Sequence, residues 1–273
     1  MVATARAAHL VVDDSPAIFT DSLAEKLLGD RAEELIGYHR LHGDLPLLSH
    51  ARANVVVRSR YLEDRLAALV DRGLPQYVIL GAGLDTFAYR NPTAPLAVFE
   101  VDHPATQQWK RKLLADSGVD VPEMLRWVPV DFETDQLLDQ LVAAGFDPTR
   151  PALISWLGVT MYLTWEAVDR TLDVLGGLAP GTELVLDYVL PEHLSDQATR
   201  THASAVAQAV SDSGEPWLSR PTPDALTTCL AEHGFGPTKH VRHRDAIDSA
   251  LWQREDSLSP SGLSMLAHTE LRA

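Results

Sequence analysis

Little in this sequence can crosslink, hold phosphate or enter a bilayer. Cys229 is the only cysteine among 273 residues. No internal disulfide can form, and neither a C-x-x-C pair nor a zinc site built on paired thiolates is available. Positive charge is scarce: 23 Lys and Arg face 38 Asp and Glu, for a net charge of −15. A surface this acidic repels phosphate backbones and anionic headgroups, so nucleic acid and membranes are not expected partners. No apolar run approaches the length of a membrane span, and the opening MVATARAAHLVVDD lacks the apolar length of a secretory leader. A cytoplasmic location is expected. The eleven histidines show no ligand spacing. His240 and His243 lie close together but without a matched carboxylate or thiolate, so no metal is expected. Repeats, low-complexity tracts and Gly/Ser linkers are missing too, which leaves a single domain.

What is present is enough apolar residue for a full core, 45% of the chain, with 22% charged. Residues 16–72 read as helices. From Asn54 to Asp71, Val56, Val57, Tyr61, Leu62, Leu66, Leu69 and Val70 recur at helical spacing, and Gly73 with Pro75 ends the run. The period then changes. Short apolar runs at 76–80, 96–101, 125–130, 152–156 and 183–189 read as strands, separated by helical stretches near 103–116, 133–144 and 165–178. Strands apolar on both faces and alternating with helices predict an α/β fold with a parallel sheet covered on both sides. Pro129 suits a strand end, where no ladder donor is needed. Residues 191–223 break the alternation and are expected to form a helical lid insertion. A further helix and two strands, the last near Ser264–Leu271, would complete the sheet as an antiparallel edge hairpin. The expected organisation is a helical cap (1–74), a core (75–190), the lid (191–223) and the completion of the sheet (224–273).

The sharpest local signal is Leu80-Gly81-Ala82-Gly83-Leu84-Asp85-Thr86, where the first strand hands over to a helix. Two glycines allow a tight turn and close approach of a ligand to the main chain. The third glycine of a dinucleotide fingerprint is absent; Thr86 stands there. Asp102 ends the second strand about 20 residues on, where a carboxylate can accept hydrogen bonds from ribose hydroxyls. A helix N-cap before His103-Pro104 accounts for Asp102 equally well. Asp131-Phe132 follows the third strand. There an acid can accept from an adenine amino group and an aromatic can pack on its ring, or the acid can simply cap the next helix.

Taken with Arg58-Ser59-Arg60-Tyr61, Arg90 and Gly158-Val159-Thr160-Met161-Tyr162-Leu163-Thr164, these segments resemble the leucine carboxyl methyltransferase-like enzymes. That family includes protein C-terminal carboxyl methyltransferases and bacterial polyketide carboxyl methyltransferases. The resemblance runs colinearly from about His9 to Tyr188 and implies a Rossmann-like class I methyltransferase sheet using S-adenosylmethionine. It implies that Arg58 holds the methionine carboxylate, with Gly81, Ala82, Gly83 and Asp85 forming the turn against the cofactor. Asp102, with His103 beside it, would bind ribose, and Asp131 and Phe132 would flank adenine. Many family members carry a glutamate where Leu157 stands, and a backbone carbonyl there would have to replace its contact to the cofactor's ammonium.

Methyl transfer from a sulfonium is an in-line displacement, so the protein must chiefly align the reactants and exclude water. A carboxylate acceptor is ionised at neutral pH and needs no base; a phenol or alcohol would benefit from one. Tyr162 is expected to shape the acceptor pocket and His202, in the lid, to serve as a base if one is used. Both also read as ordinary packed or surface residues, and Trp156, Met161, Tyr188 and Trp217 are further candidate walls. The expected function is O-methylation of a small-molecule acceptor, a carboxylate giving a methyl ester, in secondary metabolism. Open alternatives are a hydroxyl acceptor, a nicotinamide-dependent oxidoreductase using the same turn, and a cofactor-binding protein without catalysis. The oxidoreductase lacks support from any Tyr-x-x-x-Lys pair.

Overall fold

The computed structural model describes residues 2–91, 96–194, 204, 207 and 216–272. Seven strands form one sheet: β1 (Gln76–Leu80), β2 (Ala97–Asp102), β3 (Leu125–Pro129), β4 (Ala152–Trp156), β5 (Glu183–Val189), β6 (Lys239–Arg242) and β7 (Ser264–Glu270). Their order is β3-β2-β1-β4-β5-β7-β6. The first five pair in parallel, and β7 runs antiparallel between β5 and β6. After β1 the chain winds outward through β2 and β3, then crosses back to β4. The carboxyl ends of β1 and β4 therefore flank the switch point where open α/β sheets leave a crevice.

The double-sided apolar runs are explained by the pleat. Tyr77, Ile79, Val98, Leu153 and Val185 join one core with Leu62, Leu66 and Leu114. Their strand neighbours Val78, Leu80, Phe99, Ile154, Trp156, Leu184 and Leu186 join the opposite core with Leu172, Leu175 and Leu230. Both faces are thus covered by helices. Trp156 and Tyr188 are packed inside the second core, which removes them as walls of an acceptor pocket.

The long helix α3 (Pro46–Val70) carries a stripe at four-residue spacing, Arg58-Leu62-Leu66. Leu62 and Leu66 pack on the sheet, so Arg58, one turn earlier on the same face, is carried over the strand tips. The helical expectation for 16–72 needs one correction. Residues 16–25 form turns and irregular chain, and the α-helices there are α2 (Ala32–His42) and α3. An additional helix, α1 (Val2–Val12), precedes them. Its Arg6 guanidinium donates to Asp21 at 2.6 Å and to the Leu84 carbonyl at 2.6 Å, fastening it to the loop after β1. The short α4 (Phe87–Arg90) follows that loop and α5 (Pro104–Asp116) follows β2. The helix expected from 133 begins at Leu137, because Asp131 and Asp135 fold 131–136 into a turn; it is α6 (Leu137–Ala143). Farther along the chain come α7 (Trp165–Gly176) and α8 (Pro223–Glu232). Most of the expected lid, including His202, lies outside the described residues. No described helix is long and apolar enough to cross a membrane.

Candidate functional site

The turn after β1 is held by main-chain bonds: the Gly81 and Ala82 N–H groups both donate to the Val101 carbonyl, at 2.8 and 3.0 Å. Gly81 has φ +70°, which an L side chain rarely adopts, and a Cβ built there would fall inside the Val159 side chain. Gly158, after β4, has φ +75°. A Cβ there would meet the Arg58 guanidinium. Glycine at 81 and 158 thus lets the two strand ends and the α3 arginine converge at the switch point.

Asp102 does not cap α5. One of its carboxylate oxygens accepts the Gly83 N–H and the other accepts the His103 N–H at 2.7 Å. The cap is His103, whose Nδ1 accepts from the Ala105 N–H at 3.2 Å. Asp102 therefore ties the β2 tip to the glycine turn. Asp131 accepts the Glu133 N–H at 3.0 Å, a local turn, with Phe132 beside it packed toward Trp156 at a ring separation of 6.2 Å. Asp85 accepts the Phe87 N–H at 2.8 Å and starts α4. Arg90, part of the resemblance, is occupied structurally by Glu63 and the Thr86 hydroxyl.

Arg58 has a partner that the sequence reading did not identify. Its Nη1 donates to Asp187 at 2.6 Å, and the other oxygen of that carboxylate accepts the Gly158 N–H at 2.6 Å. Asp187 is the lone acid inside the apolar run Leu184–Val189 near the carboxyl end of β5, and that polar interruption was its legible signal. Val2 and Arg6 of α1 were missed as well; an alanine-rich start gives no such signal.

Two cavities open along these tips. One, of about 490 Å³, is lined by Asp102, His103, Asp131, Phe132 and Tyr162. The other, of about 200 Å³, is lined by Arg58, Ala82, Gly83, Asp85 and Leu157. Both include Val2, Gly81 and Gly158, so they adjoin at the switch point. Tyr162 and every expected cofactor contact among the described residues line one or the other. Met161 and Trp217 pack with Val189 and Leu263 beside Tyr162. A larger cavity, about 680 Å³, lies between α1 and α5 and is walled by Leu27, Leu35, Leu84, Trp109 and Leu113. It holds none of the candidate groups. We assign the site to the adjoining pair because they gather the polar groups at the strand ends.

Comparison with known proteins bears on this geometry. Residues 1–176 match the family model described as leucine carboxyl methyltransferase. A Bacillus subtilis protein, provisionally named an S-adenosyl-L-methionine-dependent methyltransferase, is 32% identical over 94% of this chain and 91% of its own length. A Mycobacterium avium protein with the same provisional name is 34% identical over 69% of this chain and 65% of that protein. Among solved structures, a provisionally assigned methyltransferase from Thermobifida fusca superposes with TM-score 0.59 at 19% identity, covering 98% of this chain and 94% of that one. A DUF574 family protein from Streptomyces avermitilis superposes with TM-score 0.58 at 17% identity, covering 99% and 97%. These two structures speak to the fold alone.

Proposed function

The chain belongs to the leucine carboxyl methyltransferase family of S-adenosylmethionine-dependent methyltransferases, and from that premise we propose that it methylates a carboxylate oxygen of a small molecule to give a methyl ester. Membership sets aside the oxidoreductase reading of the glycine turn. When bound, S-adenosylmethionine supplies an electrophilic methyl group on a sulfonium.

The residues present fit that group. The glycine cradle at 81 and 158 leaves main chain where side chains would otherwise intrude. Arg58 offers a planar set of donors to the amino-acid carboxylate, and Asp102 offers acceptor oxygens to ribose hydroxyls. Asp131 and Phe132 border the space for adenine, and the Leu157 carbonyl stands in for the family glutamate. Val2 and Leu163 add apolar lining to the cleft.

The single observation that carries the carboxylate acceptor is that the described residues lining the cleft offer no suitable base. Among the described residues lining the two cavities, His103 is the only histidine, and its Nδ1 is already engaged with the Ala105 N–H. A carboxylate side chain is a poor base for a phenol whose ordinary pKa is near 10. An acceptor that is ionised before it binds avoids the problem. Tyr162 then acts as a wall that positions the acceptor. A place in secondary metabolism is part of the same proposal and is supported by the resemblance of the sequence motifs to polyketide carboxyl methyltransferases.

The test is a panel of small carboxylic acids and phenols offered with labelled cofactor, followed by mild alkali. Alkali-labile label from the acids supports the ester; label only in alkali-stable products from the phenols would reject it.

A further inference from the structure

We propose that Asp169, Cys229 and His233 form a binding site for one zinc-class divalent cation that clamps α7 to α8, built from residues that do not line the methyl-transfer cleft. A single cysteine excludes only those sites that need two thiolates; a mixed sulfur, nitrogen and oxygen set needs one.

The helices bring the donors together by their own periodicity. On α7, Val168, Leu172 and Leu175 are buried against the sheet, which leaves Asp169 and Asp173, four residues apart, on the side toward α8. Cys229 in the last turns of α8 and His233 at its C-cap are also four residues apart and face back. One ligand atom from each of Asp169, Cys229 and His233 lies within 4.8 Å of the others. Cys229 Sγ is 3.4 Å from Asp169 Oδ1, and His233 Nε2 is 2.9 Å from the same oxygen. Tetrahedral zinc with ordinary bond lengths requires ligand-to-ligand edges of roughly 3.3–3.6 Å. The Asp169–Cys229 edge already fits, the Asp169–His233 edge must open by a few tenths of an ångström, which the half-exposed Asp169 permits, and the Cys229 and His233 ligand atoms lie within 4.8 Å of each other.

The outer surroundings suit a metal-bound imidazole. His233 Nδ1 lies 3.6 Å from Asp173 Oδ1, just beyond hydrogen-bond reach, and a small turn of the exposed Asp173 side chain completes the carboxylate-to-histidine contact that fixes the tautomer of a ligating ring. Beside the cluster a cavity of about 530 Å³, lined by Asp169, Thr228, Cys229 and Glu232, leaves room for water at a fourth position. Arg220 on its wall is turned to Glu192 at 3.6 Å and stacks on Trp217.

A Cys-His-Asp nucleophile is a poorer reading. The histidine and the thiol each hydrogen-bond to Asp169. Sγ is directed at a carboxylate oxygen that the imidazole also bonds, not at the imidazole, so no base stands ready to take its proton for nucleophilic attack, whereas a metal displaces that proton on binding. Binding balances with one proton released: the thiol loses its hydrogen, while the imidazole proton moves from Nε2 to Nδ1, facing Asp173.

The experiment uses the untagged full chain, stripped with chelator and titrated with cobalt(II), then with zinc. Because Cys229 is the only cysteine, any thiolate-to-cobalt charge-transfer absorption reports that residue. The expected result is a band that saturates at one equivalent and is displaced by one equivalent of zinc. It should vanish in Cys229→Ser. The metal affinity should fall at least about 100-fold in Asp169→Asn and in His233→Ala, and roughly 10- to 100-fold in Asp173→Asn. S-adenosylmethionine affinity should stay unchanged in all four, which also reports that they fold. No band, or a band whose affinity is unaltered in Asp169→Asn and His233→Ala, would overturn the site.

Discussion

Arg58 reaches across the sheet from α3 to place Nη1 2.6 Å from the Asp187 carboxylate, and that carboxylate in turn fixes the Gly158 N–H. The Asp187 side chain is almost fully buried. Arg58 therefore has two duties, to neutralise a buried acid and to present its remaining donors to the cleft.

The two duties separate by mutation. Arg58→Ala strands a buried carboxylate and should lower stability by about 3–5 kcal/mol while weakening S-adenosylmethionine binding. Arg58→Ala combined with Asp187→Asn should regain most of the stability but none of the affinity. Denaturant unfolding and calorimetry on the three proteins check this. Recovery of affinity in the double variant would mean that Arg58 acts only through Asp187.

Gly81→Ala adds a methyl group at φ +70° and drives it into Val159. The backbone term costs about 1–2 kcal/mol, and the displaced turn should weaken cofactor binding at least roughly tenfold. Adding Val159→Ala should relieve the clash and leave the backbone cost. Wild-type affinity in Gly81→Ala would show that the cofactor does not approach this turn.

Asp102→Ala removes both the anchor of the Gly83 N–H and the acceptor offered to ribose. Loss of a charge-assisted hydrogen bond of about 1.5–3 kcal/mol corresponds to a 10- to 150-fold weaker dissociation constant. Calorimetry with S-adenosylhomocysteine measures it, and adenine alone, which lacks the ribose, should show a much smaller change.

Much of this site was legible before any fold was known, because it obeys local rules. Gly81 and Gly83 stand after an apolar run, Asp102 ends the next, and Asp131-Phe132 follows the third; each is a strand-end signal. What escaped depends on distant partners. Helix α1 is rich in alanine, and its Arg6 is fastened to Asp21 and to the Leu84 carbonyl, 15 and 78 residues away. The Arg58–Asp187 pair spans 129 residues. Cys229, set aside for want of a second cysteine, meets Asp169 only because α8 packs beside α7. The caps also moved: His103 took the role that the sequence offered to Asp102, freeing that acid for the turn.

Acid should unfold the protein in two stages. Burial, aided for His39 by the Arg52 charge, depresses both His39 and His243 to about 4. The unfolded chain binds protons at these rings near 6.5, so stability falls as pH drops from 6.5 to 4, by up to roughly 3 kcal/mol for each ring. For Glu183, burial alone would raise the pKa, but hydrogen bonds from His268 and Arg65 and the Arg65 charge hold it at about 2. Its contribution is present above the unfolded value near 4.5 and fades as pH falls through 2. The Tm measured from pH 8 to 2 should be level, then decline in the first window, with a shallower slope there in His243→Asn. An unchanged slope in that variant would contradict the assignment.

A crystal structure with S-adenosylhomocysteine tests the account at its centre. The amino-acid carboxylate should lie against Arg58, the ribose hydroxyls against Asp102, and the adenine beside Phe132, spanning the two cavities that meet at Gly81 and Gly158. Ligand density in the cavity walled by Leu27, Trp109 and Leu113, with the strand tips left bare, would contradict it.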